Sequence, residues 1–227
     1  MNDALTSRAD ALAEGMRAIG IAPAPELLAR LLAYGELLLK WNRVYNLTAL
    51  REPGDVITHH LLDSLAVLPW LGALRMLIDI GSGAGLPCIP LALARPGLAV
   101  YSVETVGKKA SFQQQAKIEL RLKNFTVINR RAETLRAADF SVGAEGESEV
   151  GKVGVISRAF SSLADFVRLA APWLPHDGTL YAMKGALPRT EIAALPAGWR
   201  IEDTRTLTVP GLDAARHLLL IRREPAT

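Results

Sequence analysis

The stretch Arg75-Met76-Leu77-Ile78-Asp79-Ile80-Gly81-Ser82-Gly83-Ala84-Gly85 decides the fold of this chain. Its apolar part predicts a buried strand interrupted by one carboxylate, and the apolar run from Leu86 to Ala94 has helical potential. Glycines at this spacing let the chain turn tightly and bring its backbone N–H groups against a ligand, because no Cβ stands in the way. The stretch therefore predicts a ligand-binding turn at the carboxyl end of the first strand.

The residues around the glycines indicate which ligand the turn suits. A dinucleotide fingerprint requires a third glycine where Leu86 stands, and a phosphate-binding P-loop requires Gly-Lys-Ser/Thr at the start of the helix. Asp79 precedes the glycines, and Glu104 follows a second apolar segment, where an acid can accept hydrogen bonds from both ribose hydroxyls. No basic residue lies in the turn to neutralise a diphosphate. The pattern suits a cationic nucleoside without phosphate, for which S-adenosylmethionine is the expected compound; the alternative is a purely structural turn.

Composition limits the class of protein. The 227 residues suffice for one domain with an extension or for two small domains, and 50% apolar with 22% charged residues is ordinary for a soluble protein. Apolar runs are shorter than a membrane span, and the first residues lack the layout of a signal peptide. The single cysteine, Cys88, fits a reducing compartment, so we expect a cytoplasmic protein in which Cys88 is a small packing residue.

Positive charge is concentrated in one segment although the net charge is only +3. Residues 108–136 contain eight Lys or Arg against two acids, an excess that can contact phosphates. The alternative is a solvated helix face followed by a strand edge.

The chain divides into a helical part and an alternating part. Residues 1–70 are predicted as an N-terminal helical extension with helices over 3–19, 25–40 and 53–68, and residues 71–227 as a Rossmann-like domain. Strands are predicted over 76–80, 99–103, 125–128, 153–157, 179–183, 200–208 and 216–222, with an exposed loop over 139–151. Five strands that alternate with helices, followed by a hairpin-like pair, predict an α/β fold with the seven-stranded sheet of class I methyltransferases.

Eight short motifs then occur in a fixed order. They are Trp41-Asn42…Asn46-Leu47-Thr48, His60-x-x-Asp63-Ser64, Asp79-Ile-Gly-Ser-Gly-Ala-Gly-Leu-Pro87, Lys108-Lys109…Phe112, Arg131-Ala132-Glu133, Ser157-Arg158-Ala159-Phe160, Lys184-Gly185 and Arg216-His217-Leu218. Over residues 27–222 the chain resembles the bacterial 16S rRNA guanine-N7 methyltransferases, also called glucose-inhibited division protein B. It departs from their pattern at Cys88, where they usually have glycine, and at Glu104, where they often have aspartate.

The resemblance implies an S-adenosylmethionine-dependent enzyme that methylates N7 of one guanine in 16S rRNA, guanine 527 in rRNA numbering. Guanine N7 carries a lone pair and no proton, so in-line methyl transfer requires no general base, and we expect positioning residues and no catalytic ones. The expected partner is 16S rRNA or the small ribosomal subunit, and the protein is expected to be a monomer without a metal. Two alternatives are a methyltransferase for a small-molecule or protein acceptor, and a non-catalytic ribosome-associated binding module.

The candidate site residues fall into three groups. For the cofactor, the resemblance implies Gly81, Leu86, Ala132, Glu133 and Arg158, and the residue pattern adds Asp79, Gly83, Gly85 and Glu104. For the substrate cleft the candidates are Asn46, His60, Asp63 and Arg158, and for rRNA phosphates Lys108, Lys109, Arg131, Lys184, Arg216 and His217.

Some of these candidates have more than one interpretation. Helical spacing predicts that His60 and Asp63 form a hydrogen-bonded pair near the cleft or a helix-packing pair, whereas the adjacent His59 and His60 point about 100° apart and do not suit a metal. Asn46 shares a helical face with Asn42, and these amides either cap a turn or contact the base edge.

Overall fold

The computed structural model describes residues 5, 8–140, 152–158, 160 and 162–225. One seven-stranded sheet organises this part of the chain, with the strand order β3-β2-β1-β4-β5-β7-β6. Its strands are β1 Met76–Ile80, β2 Ala99–Val103, β3 Phe125–Ile128, β4 Val153–Ser157, β5 Thr179–Lys184, β6 Trp199–Thr206 and β7 His217–Arg223. All seven predicted strands are present, and the predicted class I fold is confirmed.

The directions of the strands show which edge of the sheet suits a ligand. Strands β1 to β5 pair in parallel, whereas β7 runs antiparallel between β5 and β6. The central strands β1 and β4 are buried along their whole length, as expected for parallel strands covered on both faces. The strand order reverses between β1 and β4, and ligands of open α/β sheets bind in the crevice at the carboxyl ends of strands at such a point.

Helical elements precede the sheet and connect its strands. They are α1 Ala9–Ala18, α2 Pro25–Tyr45, α3 Pro53–Asp55, a π-helix Val56–Leu62, α4 Asp63–Leu65, α5 Cys88–Ala94, α6 Gly107–Glu119, α7 Leu163–Ala170 and α8 Arg189–Ala193. Short 3₁₀ turns lie at Leu68–Trp70, Ala132–Thr134 and Ala137–Asp139. Within the described residues, no helix is both long and apolar enough to span a bilayer. Most of the predicted loop over 139–151, namely 141–151, lies outside the described residues.

The helical extension and one face of the sheet share a single hydrophobic core. Met16 and Leu38 of the extension belong to the same buried cluster as Leu77 of β1 and Phe112 of α6. Residues Met76, Ile78 and Ile80, which alternate with Leu77 along β1, belong to a second cluster on the other face. The boundary after residue 70 stays a prediction, and the core extends across it.

Two helices of the extension differ from the prediction. Helix α2 continues five residues past the predicted end at 40, because the Trp41 ring packs 5.6 Å from Phe112 and 5.1 Å from Tyr45. Its last residue is Tyr45, and the C-cap residue Asn46 has a left-handed φ of 49°. The predicted helix over 53–68 is instead interrupted by the π-helix Val56–Leu62, in which hydrogen bonds join residues five apart. Residues three apart therefore do not stack on one face there.

Candidate active site

The glycine loop after β1 combines an open approach with tight packing. Gly81, Gly83 and Gly85 all have positive φ. A Cβ added to Gly83 would meet no atom within 4 Å, so this residue faces open space. A Cβ on Gly85 would lie 2.4 Å from Cδ1 of Ile89, so this glycine lets the loop pack against α5. Only a residue without a side chain suits either position.

Three surrounding elements hold the loop. The Gly83 N–H donates to Oε2 of Glu104 over 2.7 Å, and Nε2 of Gln113 on α6 donates to the Gly83 carbonyl over 2.8 Å. The Tyr34 hydroxyl, on α2 of the extension, donates to the Ala84 carbonyl over 2.7 Å. The loop is thus pre-formed, and the extension contributes directly to its shape.

Glu104 lies at the tip of β2, as predicted, and is buried. Its Oε1 accepts the Val106 N–H over 2.7 Å, while its Oε2 accepts that of Gly83. An ionised carboxylate offers about four acceptor positions. Two positions therefore stay available for donors such as ribose hydroxyls.

Asp79 lies beneath the loop and is fully buried. Its Oδ2 accepts the Cys88 N–H over 3.3 Å, and its Oδ1 has no hydrogen-bond partner among the described residues. Burial raises the pKa of Asp79 to about 7, against the lowering effect of hydrogen bonds from Cys88. Burial also raises the pKa of the Cys88 thiol well above its usual value, which agrees with a packing role for this cysteine.

A cavity of about 200 Å³ opens above the loop. Its wall includes residues of the glycine loop, Lys109 at the start of α6 and Arg158 at the end of β4. Leu47 and Thr48, in the segment that follows α2, complete the wall. The cavity lies at the β1–β4 reversal point and is closed partly by the extension.

A second cavity of about 380 Å³ adjoins the first, and Arg158 lines both. Its wall includes Leu50, His60 and Asp63 from the extension and Lys184 and Arg216 from the ends of β5 and β7. We call the first the glycine-loop cavity and the second the ionic cleft. The shared arginine marks where ligands in the two cavities would meet.

Asp63 connects three parts of the ionic cleft. This side chain is only 2% exposed; its Oδ2 accepts Nη1 of Arg158 over 3.2 Å and its Oδ1 accepts Nε of Arg216 over 2.9 Å. Nη1 of Arg158 also donates to the His59 carbonyl over 3.3 Å. Nε and Nη2 of Arg158 make no hydrogen bond to a described residue, so three of its N–H groups are available to a ligand.

His60 is not hydrogen-bonded to Asp63, so the first of the two interpretations of this pair is wrong. The π-helix ends at Leu62, before Asp63, and His60 lies 3.1 Å from the His59 carbonyl through Nδ1 and 2.9 Å from the Thr48 hydroxyl through Nε2. Because a carbonyl only accepts, Nδ1 carries the proton and Nε2 accepts from Thr48. Burial, and then the Arg158 charge, lower the pKa of His60 to about 4, so the ring is neutral near pH 7.

The segment 46–51 that follows α2 is fixed by side chains of the extension. The Asn42 amide donates to the Leu50 carbonyl and accepts the Thr48 N–H, both over 2.9 Å, so Asn42 holds this turn. Asn46 is exposed, and its Oδ1 accepts Nη2 of Arg51 over 3.0 Å. Asn46 lines neither cavity.

The other candidates lie at varying distances from the cavities. Ala132 is buried and Glu133 exposed in the turn after β3, and neither lines a cavity, so their cofactor role stays a prediction. Lys108 and Arg131 are exposed.

Lys184, Arg216 and His217 have internal partners, so a phosphate contact through any of them stays a prediction. Lys184 Nζ donates to the Phe160 carbonyl over 2.9 Å and to Glu191 over 2.8 Å. His217 Nδ1 donates to the Gly185 carbonyl over 2.6 Å, since a carbonyl only accepts.

Metal ligands do not cluster in this region. Across the described ranges, no group of three or more His, Cys, Asp or Glu side chains is arranged to hold a metal ion.

Several site residues escaped the sequence prediction. Tyr34, Gln113 and Thr48 shape the glycine loop or the segment above it, yet only Thr48 lies in a quoted motif. Gln113 is fully buried beside Phe112. A polar side chain at a core-facing position of a predicted helix was therefore the sequence signal that could have identified it as a site residue.

The chain was compared with known proteins. A family model described as rRNA small subunit methyltransferase G matches residues 27–219. A protein named Ribosomal RNA small subunit methyltransferase G from Azoarcus sp. (strain BH72) is 60% identical over 219 residues, covering 96% of this chain and 98% of the relative. One of the same name from Aromatoleum aromaticum is 56% identical, covering 93% and 97%. A solved structure titled a SAM dependent methyltransferase, from Aquifex aeolicus, is 16% identical and shares the fold with a TM-score of 0.51, covering 75% of this chain and 93% of that one.

Proposed function

Since this chain belongs to the rRNA small subunit methyltransferase G family, we propose that it transfers a methyl group from S-adenosylmethionine to N7 of one guanine in 16S rRNA. The observation that carries the proposal is the pair of adjoining cavities that share Arg158 at the β1–β4 reversal point. The glycine-loop cavity offers backbone next to the Glu104 carboxylate that accepts the Gly83 N–H, and the ionic cleft offers cationic side chains. Guanine 527 as the target base follows from the resemblance and is part of the proposal.

The glycine-loop cavity has the chemistry that S-adenosylmethionine requires. The open face at Gly83 admits a ligand against the backbone, and Glu104 has acceptor positions left for the ribose. Lys109 and Arg158 in the wall complement the carboxylate of the methionine moiety. Further cofactor contacts proposed from the sequence are those of Asp79, Gly81, Gly85, Leu86, Ala132 and Glu133. When bound, S-adenosylmethionine would supply a sulfonium methyl group that a lone pair can attack in line, with the thioether S-adenosylhomocysteine as the leaving group.

The ionic cleft suits the Hoogsteen edge of guanine. Arginine is the side chain that most often donates to guanine O6 and N7 in nucleic-acid complexes. Arg158 retains unpaired N–H groups and is anchored by Asp63, so it can donate to O6 while N7 faces the other cavity. Because N7 has no proton, the protein orients the base and excludes water, and needs no base to accept a proton.

The state of His60 agrees with a reaction without a general base. Its acceptor nitrogen is occupied by the Thr48 hydroxyl, and its lowered pKa keeps the ring neutral. We assign His60 to holding Thr48 and Leu50 in the walls of the two cavities. The substrate is proposed to be 16S rRNA or the small ribosomal subunit. We propose that the enzyme acts as a monomer in the cytoplasm, where ribosomal subunits are made.

Mapping the methylated base tests this function. Small ribosomal subunits and protein-free 16S rRNA, both from cells lacking the enzyme, are incubated with the protein and methyl-labelled S-adenosylmethionine. Chain cleavage at N7-methylguanine then maps the label. One labelled guanine at position 527 is expected. Label at another atom, label in protein alone, or cofactor binding without transfer would contradict the proposal and favour the protein-acceptor or binding-module alternatives.

A further inference from the structure

An aromatic side chain at the end of α2 is exposed although its neighbours are packed. Tyr45 is 43% exposed and the adjacent Val44 is 70% exposed. The Tyr45 ring lies 5.1 Å from that of Trp41, which lies 5.6 Å from the fully buried ring of Phe112. This series of rings runs from the core to the surface and supports Tyr45 from behind, so the exposed aromatic is held in place and is not merely a loose surface residue.

Three lysines lie on the two helices that carry these rings. Lys108 and Lys109 lie four and three residues before Phe112 on α6, so they share its side of the helix. Lys40 lies one turn before Val44 on α2 and is exposed. None of the three lysines forms an ion pair with a described residue. Two of them lie in the first turn of α6, where a positive charge opposes the helix dipole, so helix stability does not account for them.

This surface adjoins the glycine-loop cavity. Leu47 and Thr48, which follow Tyr45 within three residues, line the cavity, and so does Lys109. We call Lys40, Val44, Tyr45, Lys108 and Lys109 the aromatic-basic surface. Lys109 of this surface thus lines the cavity in which the methyl donor is proposed to bind, and Tyr45 lies two residues before Leu47 of its wall.

We propose that the aromatic-basic surface binds an unpaired nucleotide of the rRNA next to the target guanine, with the base stacked on Tyr45 and neighbouring phosphates on Lys40 and Lys108. The inference rests on the proposed function and extends it to the RNA. Aromatic rings interleaved with cations are how proteins hold single-stranded RNA. An enzyme that modifies a base inside a pocket must first unstack it. The base left without its neighbour then needs a new stacking partner, which Tyr45 provides.

The test compares four variants with the wild-type protein. Tyr45→Ala removes the ring, Tyr45→Phe keeps it, and Ile118→Ser is the matched control because Ile118 is 69% exposed at the other end of α6. Lys40→Gln removes one cation of the surface. Three quantities are measured: the KM for small subunits from cells lacking the enzyme, the Kd for labelled protein-free 16S rRNA at several salt concentrations, and the Kd for S-adenosylhomocysteine by calorimetry.

Loss of one base–aromatic stack is expected to raise the RNA Kd and the KM of Tyr45→Ala about tenfold or more. Tyr45→Phe and Ile118→Ser should stay within about twofold of wild type, and no variant should change the S-adenosylhomocysteine Kd. Lys40→Gln should lower the slope of log affinity against log salt by about one. An unchanged melting temperature of Tyr45→Ala excludes misfolding as the cause.

The outcomes separate this inference from the proposed function. If Tyr45→Ala transfers methyl groups and binds RNA as tightly as wild type, the proposed RNA contact at the aromatic-basic surface is wrong and the proposed function stands. If RNA binding depends on Tyr45 but the protein transfers no methyl group, the proposed function is wrong and the proposed RNA contact at the aromatic-basic surface stands. Equal loss of RNA affinity in Tyr45→Phe and Tyr45→Ala overturns the stacking contact, because the phenylalanine ring would have preserved it.

Discussion

The glycine-loop cavity and the ionic cleft share one arginine but are built on different principles. The first is shaped by backbone, with Gly83 open to the ligand and Asp79 buried beneath the loop with one oxygen unpaired. The second is shaped by ionised side chains, with Asp63 held between Arg158 and Arg216. Both carboxylates are almost completely buried, yet among the described residues only Asp63 forms ion pairs, with two arginines. Burial therefore favours the neutral acid at Asp79, whereas at Asp63 two arginines offset its cost.

The two cavities also differ in how far their parts lie apart in the sequence. The glycine-loop backbone comes from one continuous stretch, 81–86. In the ionic cleft, by contrast, Asp63 contacts Arg158, which is 95 residues away in the sequence, and Arg216, which is 153 residues away. A change in the loop should therefore act on one ligand, whereas a change in the shared arginine should act on both.

Arg158→Ala should have the largest effect, since it removes the side chain common to both cavities and leaves Asp63 with one partner. Removing one member of a buried ion pair costs a few kcal/mol, and methyl transfer should fall about 100- to 1000-fold. Steady-state kinetics with labelled cofactor measures it. Arg168→Ala is the control, because Arg168 is exposed on α7 and pairs with Asp165 outside both cavities. Equal activity of the two variants would contradict a shared role.

Gly83→Asp should damage the glycine-loop cavity alone. It places a charged side chain where φ is +60° and where the ligand is proposed to lie, so the Kd for S-adenosylhomocysteine should rise more than about 100-fold. Calorimetry measures this Kd, and RNA affinity should stay near wild type. Gly97→Asp, in an exposed turn with open space around its Cβ, is the matched control. Unchanged cofactor affinity would place the pocket elsewhere.

Asp63→Asn should damage the ionic cleft alone. The amide accepts from only one arginine and loses the negative charge, so turnover should fall about 30-fold while cofactor affinity stays within about twofold. Single-turnover rates and calorimetry separate the two effects. Asp55→Asn, on α3 with a side chain 44% exposed, is the control. A parallel loss of cofactor affinity would show that the cavities are not independent.

Asp79→Asn should have the smallest effect, on stability and in a pH-dependent way. Burial raises the pKa of Asp79 from its usual 3.8 to about 7, so between these values the folded protein holds a proton that the unfolded chain has released. Wild-type stability therefore decreases as pH rises through this window, and the asparagine variant lacks that decrease. Urea denaturation should show the stability of the variant relative to wild type increasing by about 2 to 3 kcal/mol from pH 5 to pH 8. Asp213→Asn, at an exposed position, should show no such difference.

The sequence predicted the strands well because each central strand is a short apolar run between glycine, proline or charged residues. The predicted interval 76–80 is the observed β1, and the glycines after it have the left-handed conformations that their use in a turn requires. Local chemistry determines both features, so local patterns were sufficient.

The ionic network could not be predicted in the same way. Periodicity placed His60 and Asp63 on one helical face, but the π-helix turned them toward different partners. Likewise, the end of α2 depends on the contact between Trp41 of α2 and Phe112 of α6. A sequence pattern within a short segment cannot predict a contact between residues so far apart in the chain. Long-range pairing and a change of helix type carry no short sequence signal.

The hydroxyl of Tyr34 contacts the Ala84 carbonyl across 50 positions of chain, from the extension to the glycine loop. A shortened protein starting at residue 71 would therefore lose a support of the loop as well as Leu47 and Thr48 from the cavity wall. The sheet domain on its own is consequently a poor donor for chimeras, and exchange between relatives should transfer both segments together.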